Sequence, residues 1–461
     1  MRAKRSRPLV PFAAVFFLLT AAARALIAVE LEIDPSPKLF VTDFTWYHPN
    51  ERDDGHLNER SLACTRAAPR RAFGEIAATD YLSSAGYYGE KYQRFRRRGV
   101  DGIAFMMTDR VPDSFDGSNL VQAARLAREA GLQFFAYYDL FVRTAKESRM
   151  ILCLPGSQCR LPPGATRVPS YNLAARPRLY EQLRDDLVSL AEHVVQPHMD
   201  AAEGGYLMLE DAAGRRVLDE QGLPRPVIAI YIAREFSDKP ASLARLGKLM
   251  DEVTDVYRGL GLGRPAMVLD VLFWATRSTD DVELTYDPEI VEAFGQSAVA
   301  LTWYSFFDPY RGALRNVTND GKRPPIAVWG KLLHQRYRQA REELSANGRE
   351  LMLWPGVQTQ IDTRVAERDG CQQRNVEVVY HLRDREDWRT MLVRGYRNAA
   401  RPRTSGTPLQ TVVVVANAGE WFEIGALDYT HRDSSGKCSF PYHWCEALLD
   451  VVDEEDRHPS E

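Results

Sequence analysis

Little in this chain invites a charged polymer. Lys and Arg number 59 against 63 Asp and Glu, a formal net charge of −4, and the charge runs at 94–98 and 453–456 are short. A surface without a basic field offers no purchase to phosphate backbones or acidic lipid, so no nucleic-acid partner is expected. Beyond the N-terminus no apolar run is long enough to cross a bilayer. Histidines number only nine; His193 and His198 stand five apart, outside the His-Glu-x-x-His pattern, and the cysteines lack Cys-x-x-Cys spacing. Neither a metal nor another cofactor is therefore expected. Gly259-Leu-Gly261-Leu-Gly263 precedes a strand instead of following one, the wrong order for a dinucleotide fingerprint. There is no Gly-x-Ser-x-Gly nucleophile elbow, no internal repeat and no linker.

What is present begins with a targeting segment. Arg2, Lys4, Arg5 and Arg7 precede an apolar stretch from Leu9 to Ala23, and small residues follow from Ala23 to Ala28. This is the pattern of a signal peptide over residues 1–28, or of an uncleaved anchor, the only membrane contact expected. Either routes the chain into a secretory pathway, to a secreted, periplasmic or lumenal destination. The six cysteines fit export as disulfides: Cys153 with Cys159 and Cys438 with Cys445 close small loops, leaving Cys64 and Cys371 for a long-range pair. Asn316-Val-Thr318 is a glycosylation sequon.

From residue 29 to 451 short apolar runs alternate with helical patterns. The strands expected are Leu39–Phe44, Gly102–Met107, Gln133–Tyr138, Val227–Ile232, Ala266–Val271, Ala298–Trp303, Leu351–Trp354 and Thr411–Val415. Helical patterns fall at Tyr81–Arg98, Asn119–Ala130, Arg178–Val195, Leu243–Tyr257, Pro288–Phe294, Ile326–Leu344 and Asp384–Arg394. Eight alternations predict a single (β/α)₈ barrel. Gly99, Gly131, Gly259 and Gly348 stand where left-handed helix caps are required. The longest loops, Phe141–Val168, Phe307–Pro325 and Pro355–Val376, follow strands, which puts the working face at the strands' C-terminal ends. Residues 452–461 read as a disordered acidic tail.

The residues just past the strands then share one cleft: Trp46, Tyr47 and His48; Thr108 and Asp109; Tyr138 and Asp139; Arg234 and Glu235; Trp274; Tyr304; Trp354; and Glu420, Trp421 and Glu423. Flat rings that stack on sugar faces, with carboxylates for the hydroxyls, make a carbohydrate site. The last run carries the most. Thr411-Val-Val-Val-Val is a strand covered on both faces, Asn417-Ala-Gly is a turn, and Glu420 and Glu423 follow three apart around Trp421. On a helical start such a pair lies about 5–6 Å apart at Cβ, against about 5–5.5 Å between the carboxyl groups of retaining glycosidases.

Several patches resemble the endo-α-mannosidase and endo-mannanase glycoside hydrolases of family 99 and related polysaccharide-cluster proteins. They are Leu39-Phe-Val-Thr-Asp-Phe-Thr-Trp46-Tyr47, Gly99-Val-Asp-Gly-Ile-Ala-Phe105, Phe134-Phe-Ala-Tyr-Tyr138-Asp139, Trp354-Pro-Gly356 and Asn417-Ala-Gly-Glu420-Trp421-Phe-Glu423. By that resemblance Glu423 is the acid/base residue and Glu420 a base acting on the sugar's 2-hydroxyl through an anhydro-sugar intermediate. Asp139 falls at an acidic substrate-binding position and Tyr47 at an aromatic one. The chain departs from the family in the two residues between Asn417 and Glu420, in Asp for Glu at 139, and in Ile424-Gly-Ala-Leu-Asp428 after the motif.

The residue chemistry leads the same way. One carboxyl, raised in pKa beside Trp421 and Phe422, donates a proton to the leaving oxygen; the other stays ionised, to attack the anomeric carbon or to remove a proton. The expectation is a retaining, endo-acting glycosidase on an oligosaccharide or polysaccharide, with Glu420 and Glu423 catalytic and Trp46, Tyr47, His48, Tyr138, Asp139, Glu235, Tyr304 and Trp421 binding substrate. The alternatives are a non-catalytic carbohydrate-binding or assembly protein and a transglycosylase of surface-polysaccharide production.

Overall fold

The computed structural model describes residues 31–33, 37–45, 85–140, 173–199, 204–231, 240–270, 273–275, 282–284, 288–302, 351–358, 361–362, 379–380, 385–402 and 408–416. Eight strands form the barrel: β1 (Lys38–Phe44), β2 (Gly102–Met107), β3 (Gln133–Asp139), β4 (Val227–Tyr231), β5 (Ala266–Asp270), β6 (Ala298–Thr302), β7 (Met352–Trp354, resuming as Gly356–Gln358) and β8 (Val412–Ala416). Each neighbour pair from β1 to β7 is parallel. Gly356–Gln358 then pairs with β8, and β8 with β1, so the sheet closes on itself. The eight-stranded parallel barrel read from the alternation is the architecture found.

The seam differs from the expected loop at Pro355–Val376. Pro355 has no N–H for a ladder, and the chain changes partners there: Met352–Trp354 bonds to β6 and, at Leu353, to an outer strand, Ala400–Pro402. Past the proline, Gly356–Gln358 turns to β8, and the Val414 N–H donates to the Pro355 carbonyl at 2.9 Å. The loop therefore begins later than the Pro-Gly pair suggests.

Helices α1 (Ala85–Arg97), α2 (Phe115–Glu129), α3 (Pro177–Leu190), α4 (Pro240–Gly259), α5 (Pro288–Phe294) and α6 (Arg385–Asn398) form the outer layer. Three of them end alike. Gly99, Gly131 and Gly261 have φ of 78°, 74° and 77°, and the following Val100, Leu132 and Leu262 N–H groups reach back to Phe95, Ala127 and Tyr257 carbonyls. That is the left-handed cap with its apolar follower: all three followers are fully buried. The expected cap at Gly259 is corrected to Gly261, because α4 runs through Gly259 before turning. Gly348, the helix at Ile326–Leu344, the two other expected loops, all six cysteines, the sequon, the N-terminal segment and the acidic tail lie outside the described residues.

Side chains alternate across each strand. On β1, Leu39, Val41 and Asp43 face the helices, and Asp43 is met there by Lys91 Nζ at 2.6 Å and the Tyr92 hydroxyl at 2.8 Å, both from α1. Phe40 faces inward, where it meets Phe135 with ring centroids 5.3 Å apart. Gly102 has to be glycine, since a Cβ would sit 2.3 Å from the Phe40 ring and 2.6 Å from the Gln133 carbonyl. A segment at 204–226, unanticipated from the sequence, closes the N-terminal end of the barrel. From it Glu210 pairs with Lys38 and accepts from Gln133 Nε2 at 2.8 Å, a polar plug beneath the aromatic interior.

Candidate functional site

At the C-terminal ends of the strands the alternation selects which residues meet. Asp139 pairs in register with Tyr231, and Thr302 with both Asp270 and Trp354, so these five share the inward face. Tyr137, two before Asp139, points the same way, and its hydroxyl donates to Asp270 Oδ2 at 2.5 Å. Its ring lies 6.5 Å from that of Tyr231 and 6.4 Å from that of Phe135, and the Trp354 ring lies 6.1 Å from Phe135 on the far side. Two carboxyl groups, two tyrosines and a threonine thus line the inward face towards the strands' C-terminal ends, with Trp354 deeper, beside Phe135. Asp139, Asp270, Thr302 and Trp354 are all at or below 5% exposure, although two of them carry charge-bearing groups that burial normally penalises.

Asp139 stands where the sequence placed it. Tyr138 does not: it faces the helix layer, fully buried, and its hydroxyl donates to Asp186 on α3 at 2.6 Å. Consecutive strand residues cannot face the same side, and with Asp139 inward the tyrosine of the mouth is Tyr137. Parity alone would have found it. Tyr231, Asp270 and Thr302, ending β4, β5 and β6, were missed because apolar runs suggest a strand without showing which of its last residues is inward. Thr108 is buried and donates to Asp116 at 2.8 Å, at the start of α2, while Asp109 bonds its neighbour's N–H. Trp274 sits on a short hairpin, Phe273–Ala275 with Val282–Leu284. Trp46, Tyr47, His48, Arg234, Glu235, Tyr304, Glu420, Trp421 and Glu423 lie outside the described residues.

His193 and His198 stand on opposite sides of their helix, the first exposed and the second buried. The His198 ring meets Phe134 edge-on at 5.4 Å. Burial, and secondarily the Arg128 charge, lower its pKa from 6.5 to about 4. Among the described residues no group of three His, Cys, Asp or Glu side chains is arranged to hold a metal ion.

This histidine sets a pH dependence of stability. The unfolded chain takes up its proton near pH 6.5 and the fold only near 4. Its neutral form is therefore fully accommodated above about pH 6.5, and stability falls as pH drops through that window, by roughly 2 kcal/mol after allowance for solvent screening. Urea midpoints at pH 7 and pH 4.5 should differ less for His198→Leu than for the unaltered chain. Equal pH slopes for the two would remove His198 from the account.

No family model matches the chain, and no curated protein does. Among solved structures, the endo-α-mannosidase of glycoside hydrolase family 99 from Bacteroides thetaiotaomicron is similar at 11% identity and a TM-score of 0.44, covering 91% of this chain and 95% of that one. A broad-specificity endoglucanase of family 5 from Clostridium acetobutylicum is similar at 8% identity and a TM-score of 0.40, covering 91% and 97%. These likenesses are loose, and the barrel rests on its own strand pairing.

Proposed function

We propose that the protein is a retaining, endo-acting glycoside hydrolase that cleaves an internal bond of a glycan or polysaccharide, with Glu423 as acid/base and Glu420 as the second catalytic carboxylate. One observation carries the reading. β8 closes a parallel barrel and ends at Ala416, at the same end as Asp139 and Asp270, and Glu420 follows only four residues later in the sequence. Four residues span at most about 14 Å. Chain length alone therefore keeps Glu420 within reach of the end of the barrel where enzymes of this architecture work, with Glu423 three residues further on, and this supports the reading.

Rings and acids at that mouth suit a neutral, hydroxyl-rich chain. The half-buried Tyr231 supplies a ring, and Asp139, its register neighbour, supplies an acceptor for a sugar hydroxyl. An α-mannan is the first substrate to test, on the strength of the sequence resemblance. Purified protein incubated with α-mannans, arabinans and bacterial surface glycans should release oligosaccharides of several lengths, detected by mass, with the anomeric configuration of the new end retained. Tight binding with no release would make it a binding or assembly protein. Products formed only when an acceptor sugar is added would make it a transglycosylase.

A further inference from the structure

Two polar atoms on the barrel's inward face have no partner among the described residues. Thr302 Oγ1 and Trp354 Nε1 are buried, each residue about 1% exposed, and neither atom has a hydrogen-bond partner among the described residues. Buried polar groups in folded proteins are almost always paired, and an orphan lowers stability by the desolvation it has suffered. Here two orphans stand on adjacent strands in direct register, so their backbones are about 4.8 Å apart on one face. Both belong to the inward layer that holds the Tyr137–Asp270 bond.

We propose that Thr302 and Trp354 form a subsite that takes one hydroxyl of a neutral sugar, an inference that rests on the glycosidase reading. The chemistry of the two atoms selects the ligand. An indole N–H only donates, so it requires an acceptor opposite; a threonine hydroxyl both donates and accepts. A sugar hydroxyl answers both at once, its oxygen taking the indole proton and its own proton passing to Thr302. Carboxylate and phosphate oxygens would also accept, but Asp270 is the register neighbour of Thr302 and Asp139 lies on the same face, and an anion brought there meets like charge. The subsite thus discriminates against uronic and phosphorylated sugars.

A buried atom kept for a ligand differs from one kept for the fold in what its removal does to stability. Thr302→Val deletes its orphan while keeping the shape, so its thermal midpoint should stay level or rise; Trp354→Phe also empties part of a fully buried site, so it is read by binding alone. Binding of a neutral oligosaccharide hit from the glycan panel, measured by calorimetry, should weaken roughly five- to tenfold for each, and Thr302→Ser, which keeps the hydroxyl, should bind like the unaltered protein. A Thr302→Val protein that melts several degrees lower and binds as before would overturn the subsite, leaving the threonine a structural group served by internal water. Binding an acidic oligosaccharide as tightly as its neutral counterpart would overturn the discrimination. If the unaltered protein binds no glycan of the panel, the glycosidase reading itself fails and the sugar subsite with it.

Discussion

Glu423→Gln should lower turnover of a natural glycan by about 10³-fold while leaving its binding within a few-fold. General-acid assistance is worth typically about 10²–10⁴ in rate, and an amide of the same size keeps the hydrogen bond but has no proton to give. The loss should depend on the leaving group. An aryl glycoside whose phenol departs readily needs little protonation, so its cleavage should recover much of the deficit. Glu420→Gln should impair both substrates alike, because the second carboxylate acts whatever the leaving group. The pH profile carries the same signature: the limb on the alkaline side, where the acid loses its proton, should vanish in Glu423→Gln. An unchanged turnover in Glu423→Gln would end the assignment of this residue. Equal losses on both substrates would reverse the roles of the two.

Lys91→Met is expected to have the largest effect on the fold. Lys91 and Asp43 are buried with side-chain exposures of 2% and 1%, their ion pair spans 2.6 Å, and Tyr92 donates to the other carboxyl oxygen. The Phe44 N–H bonds Asp43 as well, at 2.9 Å. Two such charges out of water cost much to bring in, and removing one strands the other, typically at about 3–5 kcal/mol. Replacing both is a different matter: Asp43→Asn with Lys91→Met leaves a neutral pair and should regain a large part of the loss. Denaturation midpoints of the single and double variants measure this as a cycle. Simple additivity would mean that the pair is not coupled. Asp43 lies three residues before Trp46, so a loosened end of β1 should also weaken glycan binding in the single variant.

These two predictions draw on different amounts of what can be read from the chain. The proposal for Glu420 and Glu423 rests on the sequence alone, where a Thr-Val run, a turn and the spaced acids follow one another. The Lys91–Asp43 pair was not legible there, since a lysine within a helical pattern reads as solvated and nothing local brings it to β1. The barrel strands were readable almost to the residue: Gly102–Met107 holds as expected and Gln133–Tyr138 extends by one to Asp139. Parallel strands buried on both faces are continuous apolar runs, and their ends are marked by polar residues. That same continuity hides orientation. With apolar side chains on both sides, the run Phe134-Phe-Ala-Tyr-Tyr138 does not by itself orient Tyr137 and Tyr138; only taking Asp139 as inward does, by parity.

The sequence by itself determined the strand count, their parallel order and the helix stops at Gly99 and Gly131, because each is written in neighbouring residues by propensity, spacing or backbone freedom. Tertiary structure alone decided that Pro355 hands the seventh strand from one partner to another, that residues 204–226 plug the barrel floor, and that Tyr137, Asp139, Tyr231, Asp270, Thr302 and Trp354 converge. Convergence depends on strand register and on the closure of the sheet. Those are relations between segments far apart in the chain, and no local pattern encodes them.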